Sequence, residues 1–187
     1  QAYQANTITI DNKSDDFKID KKNSWSKYKY LYNLYKKAET PIEWFPKIFK
    51  YCKRINLTVF ASVFDEKNLK ILENSNCPAY KIASPEITDI PLIQNIARKQ
   101  KPIIISNGLA TFNDLKLAVK EILKINKKLI ILKCTSSYPA RNNELNLNTM
   151  IDIKSKFKCL SGFSDHTLGI GTSIHAASLG ACMIEKH

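Results

Sequence analysis

Six short apolar runs punctuate the chain, at residues 57–60, 79–82, 102–106, 129–133, 159–162 and 181–184, and each gives way to polar side chains. None of them alternates apolar with polar, which predicts parallel strands covered on both faces. The stretches between them carry helical periodicity and predict helices over 66–74, 90–98, 112–125 and 147–157. Asp89 before Pro91, and Thr111 three residues before Asp114, are helix-start signals. Residues 169–180 have the small and apolar composition of one more helix packed closely on a sheet. The repeated grammar is strand, loop, helix, strand.

The N-terminal third follows other rules. Residues 1–30 show no sustained period, with 7–10 reading as extended and 11–16 as turn chemistry. From Tyr30 the pattern turns helical, since Leu31, Leu34 and Tyr35 share a face. Thr40-Pro41-Ile42-Glu43 has the form of a capping box with proline at the first helical position. It predicts a helix from there to Arg54, with Pro46 trimming or kinking the first turn.

The leading polar residues after the runs, Ser62, Ser84, Ser106, Thr135, Ser164 and His187, recur at intervals of 22 to 29 residues. That suits a (β/α)8 TIM barrel, whose units average ~31 residues and run shorter where they are compact. The expected fold class is therefore α/β, with residues 1–187 forming a partial TIM-barrel catalytic domain of about six strand-helix units. A complete doubly wound sheet is the rival. It would put a glycine-rich phosphate turn after its first strand, and none is present. Six strands do not close an eight-stranded barrel, so the chain is expected to be a fragment lacking the first two strands and the last helix. Such a piece alone is expected to be inactive and to aggregate or stay molten.

A hydrophobic content of 44% suffices for a core, and no run reaches the ~18 apolar residues of a membrane span. The five cysteines include no C-x-x-C and form no evident framework, which points to a cytoplasmic setting. A net charge of +12 raises nucleic acid as a partner. The lysines are spread along the chain and interleaved with acids, so the expectation is a solvated surface that favours anionic small substrates, with no nucleic acid and no membrane. A basic nucleic-acid-binding domain and an inactive barrel remnant are the non-enzyme alternatives.

Two features carry chemistry. His166 and His187 follow neighbouring strands, with Asp165 and Glu185 alongside, and fit an open divalent site for a borderline metal such as manganese. Either histidine alone is equally compatible with packing, and His175, inside a helix, reads as structural. Lys81 stands within an apolar strand, where a charge is costly unless paired. It either pairs with Glu86 structurally or meets an anion at the barrel mouth, where Ser84, Ser106 and Ser164 add hydroxyl donors.

Five motifs then resemble one family. Tyr80-Lys-Ile-Ala-Ser84 with Glu86, the run from Pro102 to Gly108, Ser137-Tyr-Pro139, Ser164-Asp-His-Thr-Leu-Gly-Ile-Gly171 and Ile184-Glu-Lys-His187 look like the sialic-acid (nonulosonate) synthases. The segments 1–11, 31–32 and 39–44 are most similar to the pseudaminic acid synthase branch. The resemblance implies a (β/α)8 barrel followed by a C-terminal antifreeze-like domain, in a protein that is a homodimer at full length. It implies condensation of phosphoenolpyruvate with an open-chain N-acylated amino sugar, releasing phosphate. N-acetylneuraminate and legionaminate synthases are the alternatives within the family. By the same resemblance His166 and His187 hold Mn2+, or Mg2+ or Co2+. Lys81, Ser84, Ser106, Ser136 and Ser164 match phosphoenolpyruvate contacts, while Glu86, Tyr138, Gln1, Ser62 and Phe64 match positions around the sugar and the reacting carbons. Departures fall mainly on the sugar side, where Ala61-Ser-Val-Phe64 replaces a Ser-Thr-Pro-Phe type of run.

Overall fold

In the computed structural model, which describes residues 1–186, the chain forms two compact units, Gln1–Cys77 and Pro78–His187. The first holds α1 (Ala5–Ile8), α2 (Leu31–Ala38), α3 (Trp44–Arg54), β1 (Ala61–Ser62) and α4 (Glu66–Asn74). Of residues 7–10, expected to be extended, Thr7 and Ile8 belong instead to α1, and Thr9 just after it is extended. Glu39 Oε2 accepts from the leading Ala5 N–H at 2.9 Å, which gives this short helix a capping carboxylate from a distant segment. The run 57–60 is not strand either. Leu57 and Phe60 are exposed and β1 begins only at Ala61, after which Ala2 bridges Val63 in parallel, its N–H donating to Ser62 O at 2.8 Å.

The capping box at Thr40 does not form. α3 opens at Trp44 with Glu43 at its N-cap. A helix starting at Pro41 would require an N–H from Pro46 to Ile42 O, which proline cannot supply. Starting at Trp44 puts Pro46 in the first turn, whose N–H groups lack intrahelical partners anyway. Phe45, Phe49 and Cys52 then face the core. At α4 the N-cap Asp65 accepts from Asn68 N at 2.8 Å, and buried Asn68 trades amide bonds with Gln4 at 3.0 and 3.3 Å. Those bonds fix the N-terminal segment against α4.

The second unit holds β2 (Tyr80–Ile82), α5 (Ile90–Arg98), β3 (Ile103–Ser106), α6 (Phe112–Ile125), β4 (Leu129–Cys134), α7 (Thr149–Phe157), β5 (Leu160–Asp165), α8 (Gly171–Ser178) and β6 (Ile184–Lys186). Its strands pair in parallel and in chain order. Every residue of β2 and β3 is buried, as doubly covered parallel strands require. The class is α/β with the strand-helix succession of a (β/α)8 barrel, as the sequence predicts.

The start signals at Asp89 and Thr111 hold. Asp89 accepts from Leu92 N at 3.0 Å, and Thr111 and Asp114 form a reciprocal box. α7 starts two residues later than the periodicity suggests. β5 and β6 lie further along the chain than their apolar runs, so Ser164, Asp165 and Glu185 are strand residues rather than loop residues. Gly162 lets β5 and β6 approach closely, since a Cβ there would sit 2.3 Å from Met183 O. Ala140, Leu145, Met150, Phe163 and Ala176 form a core cluster under this end of the sheet. Among the described residues no helix is long and apolar enough to cross a membrane.

Candidate functional site

Parallel pairing aligns Cys134 with Ser164 and Ser164 with Glu185, one row across the C-terminal ends of β4, β5 and β6. Ser164 Oγ donates to Glu185 Oε2 at 2.5 Å and lies 3.3 Å from His166 Nε2. Lys81 Nζ, on β2, reaches Glu185 Oε1 at 3.4 Å. The Lys81 side chain is only 5% exposed, so this ion pair answers how its charge is tolerated. The expected structural partner, Glu86, is not the one used. Glu185 lies closer in space, although it is four strands away in the sheet.

Glu86 sits in the 3-10 turn Ser84–Thr88 directly after β2. Its Oε2 is buried without a hydrogen-bond partner among the described residues. Burial pushes its carboxyl up to about 7, against the opposing influence of a backbone bond and of the Lys81 charge. That is the range in which a carboxyl can either take or give a proton near neutrality.

A second cluster surrounds Gly108. Its N–H donates to Ser84 Oγ at 2.9 Å. A Cβ at this position would lie 2.2 Å from Ser136 Oγ and 3.0 Å from both Ser84 Oγ and Cys134 Sγ. Ser106 Oγ, on β3, is buried and has no partner among the described residues. Hydroxyls and a backbone N–H thus converge on a point that only glycine leaves open, and one buried hydroxyl is left for a ligand to satisfy. Asn107 holds the floor of this cluster. Its backbone N–H bonds Leu132 O at 3.2 Å and its Oδ1 accepts from Cys134 N at 3.1 Å, extending the β3–β4 pairing past the last strand residue.

The loop after β4 fixes His166. Nδ1 lies 2.8 Å from Thr135 O; a carbonyl only accepts, so Nδ1 carries a proton, and Nε2 faces the Ser164 side. Ala140 N–H donates to His166 O at 2.9 Å, and the Tyr138 ring stacks on the imidazole at 4.0 Å and 22°. Cys134 Sγ is 3.9 Å from Nε2 and 4.0 Å from Nδ1. A histidine whose Nδ1–H is pinned to a carbonyl, with Nε2 presented, is the usual form of a metal-ligating imidazole.

Asp165 does not join that site. It is fully buried and turned to the other side of β5. There Oδ1 accepts from Thr167 N and Oγ1 at 2.8 and 2.7 Å, Oδ2 accepts from Ser173 Oγ at 2.5 Å, and Lys186 Nζ lies 3.2 Å from Oδ2. Burial works to raise its carboxyl, but these hydrogen bonds prevail and hold it below the usual range. The physical reason is strand parity: Ser164 and His166 share one face, and Asp165 must take the other. Among the described residues no three His, Cys, Asp or Glu side chains gather as a metal-binding group. His187 lies outside the described residues. His175 is exposed on α8 and borders a separate open groove of about 770 Å³ with Asn142, Asn146 and Asn148, away from Lys81 and Glu86.

The three candidates of the first unit stand together there. Ser62 lies on β1, Phe64 packs edge-on against Tyr3 at 5.5 Å, and Gln1 precedes the residue that bridges Val63. Gly108, Asn107, Cys134 and Glu185's role toward Lys81 are what residue-by-residue reading missed. The available signal was scarcity: the chain has only five glycines, and one follows a buried strand directly.

The chain is 43% identical over its full length to a pseudaminic acid synthase of Helicobacter pylori, and 36% identical over 82% of its length to an N,N'-diacetyllegionaminic acid synthase of Campylobacter jejuni. It spans about half the length of these relatives, 55% and 47%. Its fold matches that of an N-acetylneuraminic acid (sialic acid) synthetase from Leptospira borgpetersenii, solved with citrate, with a TM-score of 0.86 and 31% identity over all of this chain and 60% of that one. The NeuB family model matches residues 1–187. Sequence, fold and the order of the strand-end motifs agree: the chain belongs to the NeuB family.

Proposed function

We propose that this chain is the barrel part of a synthase that condenses phosphoenolpyruvate with an open-chain N-acylated amino sugar, giving a nine-carbon nonulosonic acid of the pseudaminic type and phosphate. The observation that carries the reading is the gathering of the Ser84 and Ser136 hydroxyls around Gly108, with Lys81 and Ser106 buried on the paired strands β2 and β3. One cation with several hydroxyls and a backbone N–H suits a ligand bearing both a phosphate and a carboxylate. The higher identity to a pseudaminic than to a legionaminic acid synthase supports the choice of product.

In this reading Lys81, Ser84, Ser106, Ser136 and Ser164 hold phosphoenolpyruvate, while the family resemblance assigns Tyr138, Gln1, Ser62 and Phe64 to the sugar. The methylene carbon of phosphoenolpyruvate bonds to the aldehyde carbon, whose oxygen takes a proton to become a hydroxyl. Water adds to the resulting cationic second carbon and loses a proton. The tetrahedral intermediate then collapses by carbon-oxygen cleavage and expels phosphate. Glu86, with a carboxyl near 7, is suited to handle the water's proton. A divalent ion, expected to be Mn2+ with Mg2+ or Co2+ as substitutes, would be held by His166 and His187 and would supply Lewis acidity to the aldehyde oxygen. The His166 tautomer fits that role.

The test is direct. A protein extended to the length of its relatives is incubated with phosphoenolpyruvate, Mn2+ and hexosamines carrying N-acyl groups. Phosphate release matched by a new 2-keto acid is expected only with acylated sugars. Release without a carbon-carbon product, or none with any such sugar, overturns the assignment.

A further inference from the structure

The polar loop before α2 holds Trp25 more than half exposed, where an indole gains little from burial. The loop is nevertheless tied in place. Lys18 bridges Tyr30, Ile19 N–H donates to Lys29 O at 2.9 Å, and Asp20 and Asn23 cap successive turns at Lys22 N (2.7 Å) and Trp25 N (2.9 Å). Asn33 Nδ2 adds a bond to Tyr28 O at 3.2 Å. These bonds fix Trp25 and Tyr28 over α2. Beneath them lies a cavity of about 320 Å³ lined by Tyr3, Trp25, Tyr28, Leu34, Tyr35 and Lys37.

Four aromatic side chains, the aliphatic Leu34 and Ala38, and one ammonium face the cavity. Its volume is at the lower end of the ~300–1,000 Å³ usual for ligand pockets, so it suits a monosaccharide or a part of one. Aromatic faces take the C–H faces and methyl groups of an acylated sugar, while a lysine donates to an amide oxygen. The Tyr3 ring is shared. One contact is the edge-on packing with Phe64 at 5.5 Å, the other a T-shaped contact with Tyr35 at 6.3 Å. The cavity is therefore one ring removed from Phe64, which the family resemblance places near the sugar.

We infer that the loop 18–30 and α2 form a specificity subsite for the N-acyl substituents of the sugar, with Trp25 and Tyr28 as its cover and Lys37 as the donor to an acyl oxygen. The inference rests on the proposed reaction for the identity of the sugar, but the cavity is wholly internal to the first unit and can be tested by binding.

In the extended protein, with every other tryptophan replaced by phenylalanine so that Trp25 is the one indole, hexosamines bearing no, one or two N-acetyl groups are titrated and Trp25 emission is followed. A saturable change is expected that is roughly tenfold or more tighter for acetylated than for free hexosamines, the scale of a methyl group seated in an apolar pocket. Tyr28→Ala, at a half-buried position, and Lys37→Ala, at an exposed one, should each weaken it several-fold. No saturable change, equal affinity for free hexosamines, or an equal response to a nucleoside monophosphate overturns the subsite. In the extended protein, Trp25→Ala should raise the KM for sugar and leave that for phosphoenolpyruvate unchanged. Condensation with an unmoved sugar KM removes the subsite and leaves the reaction. Acyl-dependent binding without condensation does the reverse.

Discussion

Lys81 on β2 and Glu185 on β6 form an ion pair at 3.4 Å although four strand-to-strand steps separate them in the sheet. At about 4.8 Å per step a flat sheet would hold those strands ~19 Å apart, further than a lysine and a glutamate reach together. The pair therefore reports curvature: the strands of the second unit curl as staves of a barrel do, and the ion pair crosses the hollow. A buried charge inside β2 is tolerated because the curl brings its partner to it.

Breaking this pair should cost more than removing it. Lys81→Met removes the Lys81 charge from Glu185 and is expected to destabilise the chain by about 3 kcal/mol, while Lys81→Met with Glu185→Gln should recover much of that. Urea unfolding of the two single variants and the double variant measures the coupling. Additive losses would show that the pair is not the feature that makes Lys81 tolerable. In the extended protein, Lys81→Ala should also raise the KM for phosphoenolpyruvate strongly.

Glu86 sets a pH dependence whose sign follows from its raised pKa of about 7. The folded state favours the protonated carboxyl, so this stabilisation is full below ~4.3, the unfolded value, and is lost as pH rises through 7. Partial exposure reduces the effect to about 1–2 kcal/mol. Glu86→Gln should flatten the stability profile between pH 5 and 8 and be the more stable form at pH 8. An unchanged slope in that window contradicts the buried-carboxyl account. Turnover should fall in this variant more than affinity.

The metal assignment has a readout apart from activity. In the extended protein, Mn2+ should raise the Tm of the parent and of His175→Ala. It should not raise that of His166→Ala or His187→Ala. Activity should follow the same division. Retained Mn2+ stabilisation in His166→Ala would place the ion elsewhere.

Gly108 can be tested against Gly171. A methyl at Gly108 meets Ser136 Oγ at 2.2 Å, whereas nothing lies within 4 Å of one at Gly171. Gly108→Ala should cost about 1–3 kcal/mol, as overpacking does, and weaken phosphoenolpyruvate binding at least tenfold. Gly171→Ala should change neither. Equal behaviour of the two would mean the cradle around Gly108 is not a ligand site.

The succession of strands and helices was legible because it rests on local signals: unbroken apolar runs, and the caps at Asp89 and Thr111. Lys81 stood out for the same reason, as a charge inside such a run. Its partner did not, since only the curl of the sheet brings β6 to β2. The capping motif at Thr40 was misleading because Pro46, three residues beyond it, imposes the stronger steric rule. Asp165 was grouped with the histidines by adjacency in sequence, whereas strand parity sends it to Thr167, Ser173 and Lys186. Trp25 and Tyr28 gave no periodic signal at all, being placed by backbone bonds within a polar loop.

In the proposed reaction phosphoenolpyruvate loses its phosphate by cleavage of the carbon-oxygen bond after its methylene carbon has attacked the sugar. The most direct measurement supplies the extended protein with phosphoenolpyruvate carrying labelled oxygen at the bridging position, together with Mn2+ and an N-acylated hexosamine. Mass spectrometry then locates the label. Label in the released phosphate, with none at the second carbon of the new keto acid, is the expected result. Label retained in the sugar acid would show phosphorus-oxygen cleavage and contradict the mechanism.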